Sequence, residues 1–168
     1  VNCLLLLRHA KAEPAGPTDH DRPLALRGRR QASAVGAALR ADGLVPDRVL
    51  CSSALRTRQT WDLVRGGLGP AGAEAVVEVR DELYGAGPQD VLALLAELTE
   101  ATTVLVVGHE PTLSTLALRL AGPASAPEVV DRVRHGVPTA SWSLLETDTP
   151  WDGLGPAGAR LRALRVPA

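Results

Sequence analysis

Phenylalanine and methionine are absent from this 168-residue chain, tyrosine occurs once, and Lys11 is the single lysine beside seventeen arginines. So uniform a skew, with sixteen glycines and thirteen prolines, reads as a bias of the whole genome. It is not a signal for nucleic acid, and a formal net charge of -1 provides no basic field to draw in a polyanion. Cysteine is scarce too. Cys3 and Cys51 form no Cys-x-x-Cys pair and lie near the ends of two predicted strands, so two buried free thiols of a reducing compartment are the expectation. The longest leucine run, Leu4 to Leu7, is far too short to span a bilayer, and no cleavable leader is visible, so a cytoplasmic protein with no membrane partner is expected. There is no Walker A lysine loop and no Gly-x-Ser-x-Gly elbow. Nor is there any spacing of metal ligands, so neither a metal nor a cofactor is expected.

What is present is a run of short apolar segments that end in functional groups. Asn2 to Leu7 is wholly apolar after its first residue and predicts a strand buried on both faces, delivering Arg8 and His9 at its end. A polar, proline-containing loop follows over 10–23, with Lys11, His20 and Asp21. Leu26 to Ala41 carries Ala32, Val35 and Leu39 at helical spacing, and Asp42-Gly43 stops it. Arg48 to Cys51 predicts a second strand, with Ser52 or Ser53 capping a helix over 54–64 whose first turn holds Arg56. Gly66 to Gly72 reads as a loop, 75–79 as a strand and 89–98 as a helix. The strand Thr102–Val107 runs into Gly108-His109, with Pro111 in the first turn of a helix ending near Leu120. The stretch 121–138 has no clear assignment. Residues 139–146 and 159–166 alternate as strands around the Pro/Gly-rich loop 149–158. Trp61 and Trp142 are core by spacing, Trp151 is a candidate to border the site, and His20 and His135 read as surface residues.

Strands alternating with helices predict one α/β domain over 1–168, a three-layer αβα sandwich on a mostly parallel sheet with an antiparallel edge. If the three apolar strands lie together, Arg8, His9, Arg56 and His109 converge at their carboxyl ends, where open α/β sheets bind ligands. Guanidinium forks and helix N-termini favour phosphate. One imidazole is a competent nucleophile and the other a donor to a phosphoryl oxygen, with no metal required.

These residues carry a family resemblance. Leu7-Arg8-His9-Ala10 resembles the Arg-His-Gly signature of the histidine phosphatase superfamily, the phosphoglycerate mutase-like fold. Ser52-Ser53-Ala54-Leu55-Arg56-Thr57-Arg58-Gln59-Thr60 resembles its second motif, and Val107-Gly108-His109-Glu110-Pro111 its Gly-His motif; Leu24 to Ala32 resembles its first helix. The compact form is most similar to the SixA-like branch, which removes phosphate from phosphohistidine in signalling proteins. The resemblance implies that His9 forms a phosphoenzyme and that Arg8, Arg56 and His109 complete the phosphate pocket. Ala10 departs from the usual glycine and crowds the turn. Glu82 lies near where other branches carry an acid, and Lys11 is placed to steer an anionic substrate.

The substrate expected is a phosphohistidine-bearing protein. A small phosphate ester is the alternative, and a non-catalytic phospho-ligand module the rival class. Cysteine phosphatase chemistry is disfavoured because Cys51 and Arg56 are separated by four residues, one short of that family's Cys-x5-Arg loop. A mutase would need more chain to enclose its substrate.

Overall fold

The computed structural model describes residues 1–167. Its centre is a six-stranded mixed sheet: β1 (Asn2–Arg8), β2 (Arg48–Ser52), β3 (Val76–Arg80), β4 (Thr103–Gly108), β5 (Trp142–Thr147) and β6 (Arg160–Arg165), in the spatial order β3-β2-β4-β1-β5-β6. The first four strands run parallel, and β5 and β6 add the antiparallel edge. Five helices complete the fold: α1 (Leu26–Ala41), α2 (Leu55–Leu68), α3 (Pro88–Ala96), α4 (Thr112–Leu120) and α5 (Pro127–Val133).

The two-residue period of β1 explains the layers. Leu5 and Leu7 face one way with Val49, Leu105 and Val107 and pack on α1 and α2 through Val35, Leu39, Trp61 and Val64. Leu4 and Leu6 face the other way with Leu50, Val104 and Val106, against Leu95, Leu116 and Val133 of α3 to α5. All four leucines are essentially inaccessible to solvent. The unbroken apolar run is what a parallel strand covered on both faces requires.

Several boundaries differ from the sequence expectation for identifiable reasons. Helix α2 does not stop at Val64; it continues through Gly66 and Gly67 to Leu68. A Cβ on Gly67 would lie 2.5 Å from the Ser33 carbonyl oxygen, and one on Gly36 would lie 2.2 Å from that of Val64. The glycines let α1 and α2 touch backbone to backbone, and that packing overrides their poor helix propensity. Neither Ser52 nor Ser53 caps α2. Ala54 holds the boundary position, and Ser52 Oγ accepts the Ala54 N–H at 3.3 Å. Pro111 stands just before α4, outside its first turn, and Glu110 Oε1 accepts the Ser114 N–H in its stead.

The unassigned stretch contains α5, whose Val129 and Val133 join the core. Trp151 does not border the site. It is 2 % exposed and donates its indole N–H to the Ala101 carbonyl at 2.7 Å, beside the amino end of β4 and so at the opposite edge of the sheet from the ends of β1, β2 and β4. A proline/glycine loop with a buried indole is a core plug, and only the contact with Ala101 reveals it. Cys51 is buried as expected, whereas Cys3 is only half-buried, and both are free.

Candidate active site

The parallel register puts Arg8 opposite Gly108 and Cys51 opposite Val107, so β1, β2 and β4 end side by side. Their continuations are His9, Ser52 and His109. The imidazoles of His9 and His109 lie with ring centroids 5.4 Å apart, and Arg56 Nη2 is 3.5 Å from His109 Nδ1. Arg8 Nη1 donates to the Val137 carbonyl at 2.9 Å, holding the guanidinium against the α5–β5 connection. Arg8, His9, Arg56 and His109 are therefore brought together.

Both arginines keep an unsatisfied atom. The Nε of Arg8 and the Nε of Arg56 are buried without a hydrogen-bond partner. Buried donors are rarely left unpaired, and a charged one is the costliest to leave so. Two such guanidinium groups beside two imidazoles make a pocket that wants an oxyanion.

Hydrogen bonds assign the two rings. His9 Nδ1 lies 2.8 Å from the Ala10 carbonyl oxygen, which can only accept, so Nδ1 carries the proton and Nε2 bears the free lone pair. His109 has the reverse arrangement. Its Nδ1 faces the Arg56 guanidinium, which can only donate, so the proton sits on Nε2 and goes to Ser52 Oγ at 2.8 Å. Both rings are neutral near pH 7. Burial, then the nearby arginines, brings His9 down to about 4 against the support of its Ala10 bond, and burial with Arg56 and His9 brings His109 down to about 3.

A second layer fixes these groups. Thr60 Oγ1 accepts the Ala10 N–H at 3.0 Å and donates to the Arg56 carbonyl at 2.7 Å, tying the turn after His9 to α2. Thr57 donates to the Ser52 carbonyl at 2.8 Å, which aims Ser52 at His109. Glu110 Oε2 accepts the Val137 N–H and so steadies the carbonyl that holds Arg8. Ala10 is fully buried without a positive φ, so the turn accepts its methyl group, and the expected crowding does not arise. Thr57, Thr60 and Glu110 were not singled out by their sequence, and Ser52 was expected only as a helix cap; their spacing inside the second and third motifs is the only trace of these roles.

The loop between β1 and α1 folds over Arg56. The Asp19 carbonyl accepts from Arg56 Nη1 at 2.9 Å, and the Asp19 carboxylate lies 3.4 Å from Arg56 Nη2 and 3.0 Å from Arg22 Nε. Tyr84 donates its hydroxyl to the same carboxylate, and its ring stands edge-on to His109 and to His20. His20 is therefore a neighbour of the site as well as a surface residue; its Nε2 lies 3.0 Å from Ser53 Oγ. The sequence gives no sign of this, since the loop has no periodicity.

Two expected residues stand apart from the cluster. Glu82 follows β3, and its carboxylate is 2.6 Å from Arg80 Nη2 and more than half exposed. Hydrogen bonding from Arg80 lowers its pKa, so it stays ionised, the opposite of what a proton donor needs. Lys11 is exposed. Its backbone is anchored by Gln31 and Ala25, and a Cβ on Gly28 would lie 2.0 Å from its carbonyl oxygen, but its side chain has no hydrogen bond to the cluster among the described residues. Cys51 is excluded as a nucleophile, because burial pushes its thiol up to about 12.

Open clefts flank the cluster: one of about 330 Å³ bounded by Arg8, Glu110, His135 and Val137, and one of about 310 Å³ bounded by Thr18, Asp19 and Arg22. No helix among the described residues is long and apolar enough to cross a membrane.

An α/β fold whose strand ends present paired imidazoles and guanidinium groups defines a phosphoryl-handling class. The model of the histidine phosphatase superfamily (branch 1) matches residues 4–86. An uncharacterised protein of Mycobacterium tuberculosis is 41 % identical over 164 residues, covering 96 % of this chain and 99 % of that one. Among solved structures, the putative phosphohistidine phosphatase SixA of Nakamurella multipartitia is 38 % identical, with 99 % of this chain and 96 % of that one covered and a TM-score of 0.87. The putative SixA of Agrobacterium tumefaciens is 28 % identical, with 99 % and 98 % covered and a TM-score of 0.80. This chain belongs to the histidine phosphatase superfamily, with SixA-like structural neighbours. It is a phosphatase, and its substrates are phosphorylated.

Proposed function

We propose that the protein is a protein phosphohistidine phosphatase that works through a phospho-His9 intermediate without a metal. The observation that carries the reading is the Nδ1–H bond of His9 to the Ala10 carbonyl, which leaves a neutral, unprotonated Nε2 beside two guanidinium groups whose Nε atoms are buried without a partner. His9 Nε2 attacks phosphorus while Arg8 and Arg56 neutralise the equatorial oxygens; the substrate's P–N bond breaks and its electron pair leaves with the substrate imidazole. His109 Nδ1 faces the same space and, on taking a proton from solvent as the phosphoryl group's negative charge enters, donates to a phosphoryl oxygen. Water then attacks phospho-His9; the P–N bond breaks, its electron pair returns to Nε2, and dihydrogen phosphate departs. Nδ1 keeps its proton throughout, so the ring leaves neutral. A site that opens to clefts, on a chain of this size, suits a phosphorylated side chain of a folded protein. The likeness to proteins described as phosphohistidine phosphatases supports the same substrate class. We assign Glu82 no proton transfer and Lys11 no direct contact.

The test is a rapid-quench experiment in chelator, with a small histidine-containing protein phosphorylated by ³²P-phosphoramidate. Acid-labile, base-stable label should appear on the enzyme and vanish in His9→Ala, with turnover well above that of p-nitrophenyl phosphate. Label persisting in His9→Ala would remove the nucleophile assignment. A preference for the monoester would move the function to small phosphate esters, and no turnover of either would restore the binding-module alternative.

A further inference from the structure

His9 is 8 % exposed and lies at the floor of the site. In-line transfer puts the leaving group opposite the attacking nitrogen, hence on the solvent side. Beyond Arg56 and His109, on one side of the opening, stand Asp19, Tyr84 and His20. Asp19 is more than half exposed, yet it is held by three donors: the Tyr84 hydroxyl, Arg22 Nε and the more distant Arg56 Nη2. A carboxylate offers about four acceptor positions, so one remains, and it is open to solvent. Tyr84 links this carboxylate to the catalytic centre, because its ring packs edge-on against His109 at 5.8 Å and lies 5.9 Å from the Arg56 guanidinium carbon.

We infer that Asp19 is the leaving-group residue of this site, accepting the remote ring N–H of a departing imidazole beside Tyr84, and so selects a phosphorus–nitrogen bond to histidine over a phosphate ester. The inference rests on the phosphohistidine reading and deepens it.

The chemistry is symmetric. A phosphohistidine ring that is protonated at its remote nitrogen carries a positive charge. When its P–N bond breaks, the electron pair returns to the ring and neutral imidazole leaves, with no proton to be supplied. His9 undergoes the reverse change: a P–N bond forms at Nε2 while Nδ1 keeps its proton on the Ala10 carbonyl. Each imidazole thus needs one oxygen acceptor on its far nitrogen. Ala10 supplies it for the enzyme's ring and Asp19 for the substrate's.

An alkoxide or phenoxide leaving group has the opposite need. It develops negative charge, and an ionised carboxylate that has no proton to give opposes it. Asp19 stays ionised through the physiological range because Tyr84, Arg56 and Arg22 bond or face it and bring it down to about 2. The remaining titratable neighbours are His109, His20, and Asp21, whose carboxylate is 3.7 Å from His20 Nδ1. An N–P substrate also explains why a carboxyl acid is not needed where Glu82 is locked to Arg80.

The experiment compares Asp19→Asn and Asp19→Glu with the unmodified enzyme on two probes: the phosphoramidate-phosphorylated histidine protein and p-nitrophenyl phosphate, from pH 5 to pH 9. Asparagine keeps an oxygen for Tyr84 while removing the charge and the acceptor of the Arg22 Nε–H. Asp19→Asn should lower kcat/KM for phosphohistidine about tenfold and raise it a few-fold for the phenyl ester, the scale of one charge near a protein surface. The alkaline limb of the phosphohistidine profile should move to lower pH, since the substrate ring loses its proton sooner. Asp19→Glu should restore the unmodified ratio in part, which a fold defect in the asparagine variant could not mimic. Equal loss on both probes would reduce Asp19 to a support for Arg56 and overturn the inference, as would an unchanged selectivity ratio and pH profile. If the unmodified enzyme itself fails on phosphohistidine but cleaves the ester, the functional reading falls and takes this inference with it. The two failures are thereby told apart.

Discussion

Replacing His9 by Asn should change how the protein responds to acid as well as whether it turns over. In the folded state the His9 imidazole binds a proton only near pH 4, against an ordinary value of 6.5. Between those values the unfolded chain binds the proton and the folded one does not, so stability falls as pH drops through 6.5 and levels off near 4. At 1.36 kcal/mol per unit, going from pH 7.5 to pH 4.5 removes about 2–3 kcal/mol through this one group. For a chain of this length that is roughly 5–10 °C in Tm.

Asparagine can still donate to the Ala10 carbonyl but does not titrate. The fall in Tm between the two pH values should therefore be smaller in His9→Asn by about that amount. Groups remote from the site are common to both proteins and cancel in the difference; His109, which His9 helps to depress, keeps its larger influences, burial and Arg56. Thermal melts by circular dichroism at the two pH values, with both proteins, make the measurement. Parallel pH dependence would refute the reasoning, because it would mean that the buried ring is not kept neutral by its surroundings.

Other substitutions test separate parts of the structure. Ser52→Ala removes the acceptor of both the His109 Nε2–H and the Ala54 N–H and frees the ring to take the wrong tautomer; kcat should fall about tenfold by steady-state kinetics, with a stability loss of about 1–3 kcal/mol in urea melts. Gly67→Ala would push a methyl group onto the Ser33 carbonyl and pry α1 from α2, costing roughly 1–3 kcal/mol in urea melts. Trp151→Phe loses the bond to the Ala101 carbonyl and should cost about 2 kcal/mol while leaving kcat/KM intact, since the indole lies at the far edge of the sheet.

Much of the architecture could be read along the chain because the deciding forces are local or periodic. Leu4 to Leu7 had to be covered on both faces, which already implied a parallel sheet between helical layers. Leu26 to Ala41 shows its helical period without ambiguity and has those boundaries in the structure. Arg8, His9 and His109 were legible because they end or directly follow an apolar strand, and Arg56 because it lies in the first turn of the helix after one; strand ends are where such sheets expose chemistry.

Features that depend on what arrives from elsewhere were not legible. Gly66 and Gly67 look like a loop until Gly36 is placed against them, because glycine is a weak helix former and an excellent contact surface. Trp151 looks like a rim residue until Ala101, fifty positions away, accepts its N–H. The protonation of each catalytic ring is set by Ala10, Arg56 and Ser52, and the mouth of the site by Asp19 and Tyr84, sixty-five residues apart. The sequence by itself determined which groups reach the strand ends. Only the tertiary structure decided which nitrogen is free, which carboxylate is spoken for and which still faces a substrate, because hydrogen bonds and desolvation are properties of neighbours in space.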